Sequence, residues 1–204
     1  MKRLASGLRA TVPLVIATAM LSASHASADT CAAAGKFKPF KASFDFSEVL
    51  AGIDPMCPMG PAFIYKGSET APATGNATHL GRITVSVTNC VYPTPPTLVF
   101  VGPAVTITAA NGDKLTATYA GTATPALSTP GSGLFDLRGQ FQITGGDGRF
   151  ANARGQGTLS GSQQVGSPEP PYGLPRSGTG SIELDGVIAY GSKDKSKSCD
   201  GQDD

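Results

Sequence analysis

Two residues three positions apart, His79 and Arg82, are the first candidates for chemistry in this chain. An imidazole shuttles protons near neutral pH, and a guanidinium can grip a carboxylate at two points. The pair would suit an acidic, lipid-like ligand. On local grounds His79 belongs to a turn and Arg82 to the exposed face of the strand after it. Glu183 and Asp185 form a second pair, on one side of an alternating segment. Paired carboxylates divide into acid and base when one is desolvated. If Ile182, Leu184 and Ile188 fill the interior, however, both acids face water. Arg149 and Arg154 flank a third group with Asp147. This is a charged cluster at a cavity entrance, or an ion pair holding a turn, worth about 0–1 kcal/mol when exposed.

Other chemistries lack their residues. His79 is the only histidine after the first 28 residues and no Cys-x-x-Cys pair occurs, so no metal is expected. Gly-x-Ser-x-Gly is absent. Gly145-Gly146-Asp147-Gly148 precedes no helix start, so it does not read as a phosphate loop. No cofactor is implied. Asn76-Ala77-Thr78 is a glycosylation sequon, relevant only in a eukaryotic secretory route.

The elements that must position these residues read as strands. Phe135, Leu137, Phe141 and Ile143 alternate with Asp136, Arg138, Gln140 and Gln142, and a glycine-rich turn leads into a second strand ending near Gly161. Phe40, Ala42, Phe44 and Phe46 alternate with Lys41, Ser43 and Asp45; Ile83, Val85 and Val87 alternate with Thr84, Ser86 and Thr88. A short apolar run lies at Ala62–Tyr65. Gly102-Pro103 signals a bend or bulge between Leu98–Val101 and Val105–Ala109. Asn111-Gly112 then predicts a tight hairpin into Leu115–Tyr119. Ser181–Tyr190 supplies the last strand. Ser47–Ile53 reads as a short helix stopped by Asp54-Pro55. Ser68–Ala77 reads as a loop of small and polar residues. Gly166–Gly178, with four prolines, Tyr172 and Arg176, reads as a stiff connector or as a rim loop closing over a cavity.

About eight strands with short turns predict an all-β fold, a single eight-stranded antiparallel barrel. Closure removes exposed edges, and internal glycines relieve crowding where strands coil. The aromatics, among them Tyr65, Phe100, Tyr119 and Phe150, read as core, in a barrel with room for at most one small ligand.

The chain opens with a secretory signal: Lys2, Arg3 and Arg9, then an apolar stretch from Val12 to Leu21, then Ala26-Ser27-Ala28 as a cleavage site. Cleavage is predicted after Ala28, leaving an N-terminal segment 29–39, a barrel domain 40–190 and a polar tail 191–204, in a secreted or periplasmic protein. No later stretch is long and apolar enough to span a membrane. The full chain has 16 basic and 15 acidic residues; loss of three basic residues with the leader turns the net charge from +1 to −2. With no basic stripe and no tryptophan, nucleic-acid binding is not expected. The even cysteine count predicts disulfides among Cys31, Cys57, Cys90 and Cys199, with Cys57 or Cys90 expected to tie down a cysteine near one terminus.

Gly145-Gly146-Asp147-Gly148-Arg149-Phe150 followed by Ala153-Arg154-Gly155 resembles the GGTGxF…ARG hairpin of dirigent proteins, relatives of the allene oxide cyclase-like barrels. Gly75–Arg82 and Ala109–Asp113 resemble segments of uncharacterised secreted bacterial members of that group. The resemblance covers Phe40–Tyr190. It implies a barrel that binds a small hydrophobic or phenolic molecule, with cofactor-free isomerase, cyclase or dirigent-like activity as the catalytic form. It places Arg154 at the family's arginine and Asp147 where a threonine is usual; the other family acids find no match. The ligand-binding candidates are therefore Arg82, Arg154, Asp147, His79, Tyr65, Phe100 and Tyr119. The alternative is a non-catalytic extracellular or envelope protein that contacts partners through its outer face or rim. Monomer and oligomer are both compatible with the sequence.

Overall fold

A computed structural model describes residues 36–67, 71–128, 131–170 and 173–190. The strands are β1 (Lys38–Asp54), β2 (Ala62–Gly67), β3 (Ala73–Ala77), β4 (Gly81–Thr94), β5 (Thr97–Ala109), β6 (Lys114–Pro125), β7 (Leu134–Gly146), β8 (Arg154–Val165), β9 (Pro168–Glu169), β10 (Leu174–Pro175) and β11 (Ser177–Ala189). Every pairing is antiparallel. β4 to β8 follow one another, β11 pairs with β8, and β1 closes the ring on β11 from Lys38↔Ile188 to Val49↔Ser177. β2 and β3 lie end to end between β1 and β4, sharing one place. The result is an eight-place barrel, with β9 and β10 as a separate ribbon.

Alternation sets the inside. On β1 the even residues from Phe40 point inward, on β6 the odd ones from Leu115 to Pro125, on β8 the odd ones from Gly155 to Val165. On β5 the phase changes. Phe100 and Gly102 face in, an extra residue is inserted between Gly102 and Val105, and Val105, Ile107 and Ala109 face in thereafter. That is the bulge signalled by Gly102-Pro103.

Large rings fit because glycines stand opposite them. Phe46 pairs with Gly180, Phe100 with Gly121, Tyr119 with Gly102 and Phe141 with Gly157. A Cβ added at those glycines would lie 2.6–2.8 Å from the ring. Each ring covers backbone that its partner leaves bare.

The barrel has two unlike halves. One end is packed: Phe40, Ile83, Ile107, Leu115, Phe150, Leu159 and Ile188 are the largest fully buried side chains, and a void of only about 10 Å³ remains above them. Phe150 closes this end from a single helical turn, Gly148–Phe150, between β7 and β8, and stacks edge-on with Tyr190 at 5.0 Å. The other end is open. A second, smaller apolar cluster of Cys57, Ala62, Ile64 and Cys90 lies outside the main core, where Cys57 is bonded to Cys90.

Three expectations are corrected. Ser47–Ile53 is not helical but continues β1, because β11 and β2 supply its hydrogen-bond partners; Gly52, at φ 132°, forms a bulge instead. Part of the Ser68–Ala77 loop is strand β3. The connector Gly166–Gly178 contains the short paired strands β9 and β10. Cys57 and Cys90 bond to one another rather than to a terminal cysteine, because β2 and β4 are neighbours, with Ile64 opposite Cys90. Residues 1–28, Cys31, Cys199 and the tail 191–204 lie outside the described residues, and so does Tyr172.

Candidate functional site

The open half of the barrel encloses a cavity of about 480 Å³. That is within the size range of small-molecule sites. Its wall is mainly apolar: Phe44 and Phe46 of β1, Val85, Val87 and Val91 of β4, Leu98 and Phe100 of β5, Phe135 and Leu137 of β7. Gly166 and residues 173–175 lie at its edge, so the segment between β8 and β11 borders the mouth.

One charged side chain lies in this wall. Glu48 occupies the inward phase of β1, two residues beyond Phe46, and is 7% exposed, the only buried charged residue described. Asn89 donates from Nδ2 to Glu48 Oε2 at 2.9 Å, and Gln163 from Nε2 to Oε1 at 2.5 Å. The Tyr119 hydroxyl in turn donates to Asn89 Oδ1 at 2.5 Å. Three strands besides β1 thus hold the carboxylate: β4, β6 and β8. Tyr65 of β2 donates its hydroxyl to the Pro175 carbonyl at 2.7 Å, tying the barrel wall to β10.

The electrostatics follow from burial. Desolvation pushes the Glu48 carboxyl pKa above its ordinary value, and the hydrogen bonds from Asn89 and Gln163 oppose that shift. Tyr65 is pushed up to about 12, by burial first and by the Glu48 charge second. Tyr119 is raised for the same two reasons, against its hydrogen bond with Asn89. Among the described residues Glu48 has no cation beside it; the ion pairs Lys41–Asp185 at 2.6 Å and Arg149–Asp113 at 3.2 Å lie elsewhere. Nor do three or more His, Cys, Asp or Glu side chains gather anywhere among them.

The residues singled out from sequence divide between the two ends. Tyr65, Phe100 and Tyr119 line the cavity, and Phe100 and Tyr119 meet edge-on at 5.8 Å. His79, Arg82, Asp147 and Arg154 do not; they sit in or beside the turns of the packed end. His79 adopts a left-handed backbone at φ 68°, and its Nε2–H donates to the Pro39 carbonyl at 3.0 Å. Arg82 is exposed. Arg154 lies over the Phe37 ring at 5.7 Å. Arg149 pairs with Asp113 rather than with Asp147. Glu183 and Asp185 face solvent, and Lys41 pairs with Asp185 at the surface.

Glu48, Asn89 and Gln163 escaped the reading of the sequence. Each is a polar residue on the inward phase of its strand, after Phe46, after Val87 and after Gly161 respectively. Extending the alternation of each strand by one step is the signal that would have found them.

No protein-family profile matches the sequence, and no curated protein matches it. Among solved structures the chain is similar to a pterocarpan synthase dirigent protein, with 12% identity, 78% of this chain and 88% of that one covered, and a TM-score of 0.41.

Proposed function

We propose that this barrel binds a small, largely hydrophobic molecule in its open half, with a hydrogen-bonding group of the ligand directed at Glu48. The observation that carries this reading is the pairing of a cavity of about 480 Å³ with one buried carboxylate in its wall. A folded core tolerates neither feature without cause: empty apolar space forfeits dispersion contacts, and a buried charge is expensive to desolvate. A ligand that fills the space and meets the carboxylate offsets both. Glu48 is also the group here best placed to take or give a proton, so isomerisation or cyclisation of the bound molecule would run through it. The Cys57–Cys90 bond, together with the secretory signal expected from the sequence of residues 1–28, supports export.

Nile red, a neutral fluorophore, tests the reading. Saturable one-to-one binding by the folded protein is expected, followed by displacement with the molecule extracted from protein purified out of its native compartment. No saturable enhancement at micromolar protein would remove the ligand reading.

A second reading has its own observation. Ile53, Met56 and Met59 near the β1–β2 turn and Leu127 after β6 are exposed at the open end. Such a rim fits contact with a partner protein, and replacing Met56 and Met59 by serine would then abolish the association without altering Nile red binding.

A further inference from the structure

The hydrogen bonds around Glu48 have a consistent direction. The Tyr119 hydroxyl is used on Asn89, the Tyr65 hydroxyl on Pro175, and one N–H each of Asn89 and Gln163 on the carboxylate. The protein therefore spends both hydroxyl protons on itself. Each amide keeps a second N–H, but the acceptors left to a ligand outnumber these two donors: the remaining lone pairs of Glu48, of the two phenol oxygens and of the Gln163 amide oxygen. A ligand carboxylate would meet a like charge and acceptor oxygens, so acids are disfavoured. A ligand that donates is favoured.

Charge sharpens the choice. Glu48 is 7% exposed and, among the described residues, accepts only from neutral amide donors. A carboxylate at such depth is ordinarily matched by a cation. The same cavity carries the rings of Phe44, Phe46, Phe100 and Phe135, whose faces attract cations in desolvated sites. Burial raises the Glu48 pKa, so beside a neutral alcohol or phenol the group holds its proton more readily, whereas an ammonium ion pairs with the carboxylate and offsets the cost of its charge.

We infer that the ligand of this cavity is a hydrophobic amine, bound as its ammonium ion, with the cationic nitrogen at Glu48 and the apolar body among the rings. This rests on the cavity being a ligand site, as proposed above, and specifies what the ligand carries.

Three matched probes test it: phenylbutylamine, phenylbutanol and phenylbutyrate, titrated calorimetrically into the whole protein at neutral pH. The amine is expected to bind at least about tenfold more tightly than the alcohol, and the acid more weakly than both. Glu48→Gln should bring amine and alcohol together. The comparison of probes on the unaltered protein stands even if that variant folds poorly. Alcohol binding as tight as amine binding overturns the proposal, as does an amine preference that survives in folded Glu48→Gln. Nile red separates the two levels of the reading. If Nile red binds while the amine has no advantage, only the ammonium assignment falls. If Nile red and all three probes fail to bind, the ligand cavity itself falls with it.

Discussion

The Tyr119 ring occupies the space that a side chain at Gly102 would need: a Cβ there would lie 2.7 Å from it. The two residues are registered partners across β5 and β6, and the same ring holds Asn89 against Glu48. Gly102→Ala should therefore displace Tyr119 and loosen the carboxylate as well as crowd the wall. The expected loss is about 1–3 kcal/mol in urea unfolding, with weaker Nile red binding. Unchanged stability and unchanged binding would show that the ring is not seated on this glycine.

The raised pKa of Glu48 gives a signed pH effect. Its folded value lies above the ordinary 4.5, so between the two the folded protein holds a proton that the unfolded chain has released. This group's contribution to stability is complete below that lower value and declines as pH rises through the raised one. The unfolding temperature of the empty protein should fall across that window, and Glu48→Gln should remove that part of the slope. Parallel profiles for the two proteins would place Glu48 in water rather than in the wall.

Cys57 and Cys90 are 33 residues apart in sequence. A bridge over that length restrains the unfolded chain by about 3–4 kcal/mol on the loop-entropy account. Replacing both with alanine should lower stability by that order. Both cysteines belong to the outer cluster with Ile64, so Nile red affinity at temperatures where the variant is folded should stay the same. A large affinity loss there would mean that the bond shapes the cavity.

Ala123 is 3% exposed and lines the cavity on β6. Ala123→Phe should fill ligand space and weaken binding at least tenfold. Arg82→Ala and Arg154→Ala alter the far end, and should leave affinity within about twofold. Fluorescence titration of the three variants settles which end of the barrel matters. A tenfold loss with Arg154→Ala would return the site to the hairpin between β7 and β8.

The architecture was written in the local pattern. Period-two alternation marked β4, β7 and β11, Asn111-Gly112 marked a hairpin, and Gly102-Pro103 marked the bulge where the inward phase switches. The site was not so marked. Val49, Leu50 and Ile53 imitate the spacing of a helix face, and only the strands on either side, β11 and β2, make that segment extended. Once it is read as a helix, Glu48 has no inward phase to betray it. Asn89 and Gln163 look like ordinary surface amides until β4 and β8 are folded against the same interior. His79 and Arg82 drew attention by chemical type, yet type carries no information about which end of a barrel a turn occupies. Tyr65, Phe100 and Tyr119 read both as core and as ligand-binding candidates, because packing differs from a cavity wall only by the space left between rings, and they line the cavity.

The pairing of the Tyr119 ring with Gly102 makes one part of the interior resizable. Because Phe46, Phe100 and Tyr119 each rest on a glycine of an adjoining strand, the inner contour is set by complementary pairs of positions rather than by the backbone course alone. Exchanging Tyr119 and Gly102 together, a smaller side chain for the ring and alanine for the glycine, would move space from one place to another while keeping each strand's path, because only the ring stands where the new Cβ would lie; at Gly121 and Gly180 the Arg138 and Ser162 carbonyl oxygens also stand there, so those pairs keep their glycine. A lineage of such barrels could thus change the shape of molecule it accepts by coupled substitutions at two sites, and a single substitution at either would be the barrier between one specificity and the next.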